Sequence, residues 1–156
     1  MKRRNPNKIA FLKSIPQSNV ETAIKKFKSM TFSLQFFDNS QSAGQNFQDW
    51  THEQLTKLLV KLKSYCSESL EHWKSMPVGH KSGHILEIYG NFPHKSDFEF
   101  PKHVPIDVSW GRFRLESDMR IIGFIIDPVK CNKLCIPNNV FYIVFFDAYH
   151  KFYKSA

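Results

Sequence analysis

Phe32, Leu34 and Phe36 alternate with Ser33 and Gln35 over residues 31–38, the two-residue period of a half-buried strand. A polar stretch, 39–48, follows as a loop, and the period then lengthens to that of a helix. Leu55, Leu58, Leu59 and Leu62 form one apolar stripe, so a helix is expected over about 51–65. Its start carries two signals: Thr51 and Gln54 have capping-box spacing, and Trp50 is placed to staple onto Leu55. A shorter helix over 67–75 would bury Leu70 and Trp73 before Pro77 and Gly79 end it. From there the pattern is that of strands. Segments 85–89, 106–116, 119–127 and 140–146 are rich in Ile, Val, Phe or Tyr and bounded by Gly, Pro, Asn or Asp. The last is apolar throughout, as expected of a strand covered on both faces. Ser117-Asp118 suits a tight hairpin, and 128–139 reads as a longer connection. The order predicts an α+β domain: a mostly antiparallel sheet of about five strands with two helices packed on one face.

Length and composition fit this picture. The 156 residues, 42% hydrophobic and 15% aromatic with 15 Phe, suffice for one core and argue against disorder. Charge divides the chain further. Residues 1–30 hold eight Lys or Arg against Glu21 alone, out of a net charge of +8, whereas 31–156 is nearly neutral. The expected organisation is therefore a basic arm, 1–30, on a domain, 31–156. Within the arm, Ser18 and Glu21 have capping-box spacing, and Val20, Ala23, Ile24 and Phe27 follow a helical stripe. Lys25, Lys26 and Lys28 lie off it, as a solvated face or a nucleic-acid contact.

The basic balance favours nucleic acid or an acidic surface as partner. No stretch reaches the roughly 20 apolar residues that span a bilayer. The start, Met1-Lys2-Arg3-Arg4 followed by Asn5, Pro6 and Asn7, lacks the apolar run of a signal peptide, and a cytoplasmic location without membrane is expected. Cys66, Cys131 and Cys135 are too few for a disulfide framework. His80, His84, His94 and His103, with two of these thiols, lack the regular close pairs of a zinc site, and no metal or cofactor is expected. His84 could instead face the same site as His150.

The chemistry-bearing residues concentrate near the C-terminus. Arg112, Arg114 and Arg120 flank the Ser117-Asp118 turn, and the apolar run 140–146 leads into Asp147-Ala148-Tyr149-His150-Lys151-Phe152-Tyr153. In these residues, and in the strand-helix-helix-strands order of 31–156, the chain resembles the RelE/ParE superfamily of toxins from toxin–antitoxin systems. The arm, the long loops at 39–49 and 90–105 and the 128–139 connection depart from that pattern. The resemblance implies either a metal-independent endoribonuclease acting on mRNA, in the RelE-like branch, or a gyrase inhibitor, in the ParE-like branch. It also implies action on the ribosome and a partner antitoxin. Arg114 and Arg120 match the family's strand arginines, and His150 and Tyr153 its C-terminal His and Tyr, which favours the nuclease branch. Cleavage without a metal needs a base for the 2′-hydroxyl, a cation for the phosphorane and a donor for the leaving oxygen, roles open to Arg, His and Tyr. Arg112, Lys151 and the Lys57, Lys61 and Lys63 side of the 51–65 helix are the expected RNA contacts. The alternative is a non-catalytic nucleic-acid- or protein-binding module that uses the basic arm and the Lys57, Lys61 and Lys63 helix face, with His150 and Tyr153 structural. The arginines would then pair with carboxylates such as Glu116 or Asp118 across the hairpin.

Overall fold

The computed structural model describes residues 6–15, 28–79 and 83–154. The elements in order are α1 (Pro6–Ser14), β1 (Thr31–Ser33), a 3₁₀ turn (Phe47–Asp49), α2 (His52–Tyr65), α3 (Leu70–Ser75), β2 (Leu86–Gly90), β3 (Ser109–Arg114), β4 (Arg120–Ile125), α4 (Pro128–Leu134) and β5 (Val140–Asp147). The fold is α+β. Five strands form one sheet in the order β1-β5-β4-β3-β2, antiparallel except that β1 runs parallel to β5.

Strand alternation sorts side chains onto two faces with different covers. On one, Phe113, Ile121, Phe141, Ile143 and Phe146 are closed over by Leu58 and Tyr65 of α2 and Leu70 of α3. The helices sit there for local reasons. Thr51 caps the Gln54 amide while the Gln54 side chain accepts from the Thr51 amide, and Ser69 caps α3 through the His72 amide. The opposite face carries Trp110, Ile122, Phe124, Val144 and Phe145, covered by Ala43, Phe98, Val104 and Phe152 from loops and the C-terminal segment. β5 contributes to both cores, which is why it is apolar almost end to end. At Gly123 the sheet permits no side chain: a Cβ would lie 2.0 Å from the Tyr142 carbonyl oxygen.

Several expectations are corrected. β1 ends at Ser33, because a turn closed by the Phe37 amide on the Leu34 carbonyl sends the chain away. Phe32 therefore packs on the helix face and Phe36 on the other, and Leu34 is exposed. Leu59 is not part of the buried stripe of α2; it is 64% exposed beside Val60. The second helix starts at Leu70 rather than Ser67, with Trp73 only partly buried. The third expected strand begins at Ser109, not Ile106, which is exposed. The 128–139 connection contains α4, capped by Asp127 with Pro128 in its first turn. The arm contains a helix, α1, that sequence periodicity missed and that buries none of its side chains. The helix expected over Ser18–Phe27 lies outside the described residues.

Candidate nucleic-acid interface

The β3–β4 hairpin closes as its turn residues suggest, with Ser117 in the left-handed region at φ 49° and the Leu115 amide bonded to the Met119 carbonyl. Its register places Arg114 directly opposite Arg120, and Arg112 one pair further in, opposite Ile122. All three arginines thus fall on the face away from α2 and α3, since the intervening Phe113 and Ile121 point into the helix-side core. Unpaired like charges facing one another across a hairpin are destabilising.

Partners offset this only in part. Arg112, 9% exposed, donates through Nη2 to Glu87 Oε2 at 2.7 Å and through Nε to the Tyr89 hydroxyl. Arg120, 4% exposed, uses Nη1 on the carbonyls of Ser117 and Met119, at 2.7 and 2.8 Å, and has no carboxylate within ion-pair distance among the described residues. Burial, then the charges of Arg112 and Arg114, pull its pKa down to about 10. Arg112 Nη1, Arg114 Nε, Arg120 Nε and Trp110 Nε1 are buried without a hydrogen-bond partner among the described residues. Each is a donor, so what each lacks is an acceptor.

Neither expected carboxylate forms an ion pair with the arginines among the described residues. Glu116 lies 3.6 Å from Lys57 Nζ, which also pairs with Glu53 at 3.0 Å, and Asp118 acts on Arg120 only through its field. Asp147 stands opposite Arg120 in the register but is turned to the chain that follows. Its buried carboxylate accepts the amides of Tyr149, Lys151 and Phe152 at 3.3, 2.9 and 2.9 Å. This clamp fixes a left-handed corner at His150, φ 57°, and folds the C-terminal segment back over the sheet.

That segment brings Tyr153 into the neighbourhood of the arginines. Its ring stacks on Tyr89, centroids 4.7 Å apart and planes 9° from parallel, and Tyr89 is the acceptor of Arg112 Nε. Burial raises the Tyr89 hydroxyl pKa, with the Arg112 charge opposing it, so this phenol remains a neutral partner at physiological pH. His150 has no hydrogen bond, ion pair or ring partner among the described residues, and Lys151 lies with its ammonium over the Tyr149 ring at 5.5 Å. Lys57, Lys61 and Lys63 belong to α2, which packs against the opposite face of the sheet. The arginines, Tyr89 and Tyr153 therefore form one group. His150 is on the adjoining tail, and the lysines of α2 lie on the helix-covered side of the sheet, where Lys57 reaches only Glu116 of the hairpin turn.

Sequence reasoning missed Glu87, Tyr89 and Asp147. The first two were legible as the polar residues of alternate positions in strand 85–89. Asp147 was legible as a lone carboxylate closing an apolar run. No group of three His, Cys, Asp or Glu side chains gathers among the described residues, His80 lies outside them, and His84 bridges to Pro77 at a chain reversal. The three cysteines are free thiols. No described helix is long and apolar enough to cross a membrane. Comparison with known proteins finds no family model, no curated protein and no solved structure that matches the chain.

Proposed function

We propose that the arginine-bearing end of the sheet binds the phosphate backbone of RNA, and that the domain is a metal-independent, RelE-like endoribonuclease. The supporting observation is the set of four buried donors without acceptors on one face, three of them on mutually repelling guanidinium groups. These nitrogens are closed off from solvent as folded, so a phosphate diester oxygen reaches them only as this end of the sheet opens; Arg114, which is only partly buried, is the first it meets, and guanidinium forks match its geometry. In the cleavage reaction a base takes the 2′-hydroxyl proton and the freed oxygen attacks phosphorus. The bond to the 5′-oxygen then breaks and that oxygen is protonated. Arg114 and Arg120 are the cations for the pentacoordinate phosphorane. His150 and the Tyr153 hydroxyl are the proton carriers, on the tail that the Asp147 clamp folds back over the sheet.

A non-catalytic RNA-binding module is the second reading, favoured by one observation: His150 has no contact with the guanidinium groups among the described residues. The two part in a single assay. Single-stranded RNA incubated with the protein in EDTA should yield fragments ending in 2′,3′-cyclic phosphate. His150→Ala and Tyr153→Phe should each slow this about 10²- to 10⁴-fold with binding retained. RNA that binds and stays intact would decide for the module.

A further inference from the structure

Beside the arginines lies a recess of about 610 Å³ with no part in phosphate binding as described above. Tyr89 and Tyr153 line one part of it, and Asn91, Phe92, His94 and Lys95 of the loop after β2 line another. It is a built feature. Phe92 is wedged edge-on against Trp110 and Phe152, at 4.9 and 5.2 Å between centroids. The loop is joined to the C-terminal segment by two main-chain hydrogen bonds, Asp97 amide to Lys151 carbonyl and Lys154 amide to Lys95 carbonyl, and by the Lys154–Asp97 ion pair. Tyr153 is 44% exposed although its ring stacks on Tyr89, and it lines the recess.

We propose that this recess is a nucleobase subsite, taking one unpaired base of a single-stranded RNA next to the phosphate held by the arginines. Two features carry the assignment. The lining joins aromatic rings to cationic and amide side chains, the chemistry of a nucleobase site: π-faces to stack on and polar groups for the base edge. The Tyr89 hydroxyl bonds Arg112, so the stacked pair and the guanidinium cluster are adjoining parts of one surface. A base in a duplex is stacked on both sides and cannot enter a walled recess, so the subsite selects single strands. This inference rests on the phosphate-binding reading and adds the ligand's form to it.

The test uses fluorescence anisotropy with three cleavage-resistant probes of equal phosphate number: a single-stranded 2′-O-methyl RNA, a duplex of half its length, and the same strand made abasic. The single strand should bind about tenfold more tightly than the abasic strand or the duplex, the worth of one stacked base. Asn91→Trp, which fills the recess from an exposed loop position, should abolish that difference and leave abasic-strand binding unchanged. Lys95→Glu is the second variant and should weaken the single strand more than charge loss weakens the duplex. Equal binding of single and abasic strands by the wild-type protein, or a preference that survives Asn91→Trp, overturns the subsite alone. If no probe binds, the phosphate reading falls with it.

Discussion

The two faces of the sheet are built from the same strands yet end in opposite states. On the helix face Phe113 is closed in by the rings of Phe32, Tyr65 and Phe141, and the polar atoms that enter are mostly paired. The Tyr65 hydroxyl donates to the Arg114 carbonyl, and Trp73 Nε1 to the Tyr65 carbonyl at 2.7 Å. Only Trp50 Nε1 is left over there, among the described residues. On the other face the inner part is equally aromatic, but its outer end holds three guanidinium groups with, among the described residues, a single ion-paired carboxylate, Glu87. The first face is arranged for stability. The second retains buried charge, which costs stability, at the place where an anion would be received.

This contrast predicts mutations of opposite sign. Phe113→Ala should cost about 3–5 kcal/mol, since a fully buried ring leaves a cavity that its neighbours cannot close, and urea unfolding will read it. Gly123→Ala belongs with it: the Tyr142 carbonyl at 2.0 Å leaves the β4–β5 ladder no room, and the variant should fail to fold stably. Arg120→Met should do the reverse. Replacing a buried, repelled cation by an apolar side chain of similar length should raise stability by about 1 kcal/mol, a Tm gain of about 2–4 °C in a domain of this size. Loss of stability in Arg120→Met comparable to that of Phe113→Ala would mean the arginine is structural and the two faces are alike.

Alkaline pH sharpens the same comparison. The Tyr65 phenol is pushed up to about 12 by burial, so the folded state keeps a proton the unfolded chain releases near 10, and stability falls as pH rises through that window. Arg120, lowered to about 10, does the opposite, because the folded state sheds its proton first and the cost of its charge eases above that pH. In the wild type the two offset each other. Stability of Arg120→Met, measured by urea unfolding from pH 9 to 11.5, should therefore decline more steeply than that of the wild type. The smallest effect is expected at Lys57, whose pairs with Glu53 and Glu116 are exposed and screened by solvent. Lys57→Ala should change neither Tm nor RNA affinity measurably.

How far the sequence anticipated this follows from where the information resides. Helix α2 and β3, β4 and β5 were legible because each has its own periodicity, and the capping pair Thr51 and Gln54 marked a boundary to within a residue. β1 was misjudged because Phe32 and Phe36 are both buried, but on opposite faces, so an apparent alternation spans a turn. Leu59 was misjudged because a stripe four leucines wide exceeds the face that the sheet covers. At the site, the arginines could be named from the hairpin, but not their shared burial. That burial depends on the register of β3 against β4 and on a tail folded back by Asp147, contacts that no local pattern encodes.

The central claim is that the arginine cluster receives RNA phosphate, and the salt dependence of RNA binding tests it most directly. Affinity for a single-stranded RNA should fall with rising salt, by a log–log slope of about 0.7 for each phosphate neutralised. The double variant Arg114→Met/Arg120→Met, folded and at least as stable as the wild type, should bind at least about 100-fold more weakly at low salt, with its slope shallower by about 1.4. Unchanged affinity and an unchanged slope in that folded variant would contradict the account.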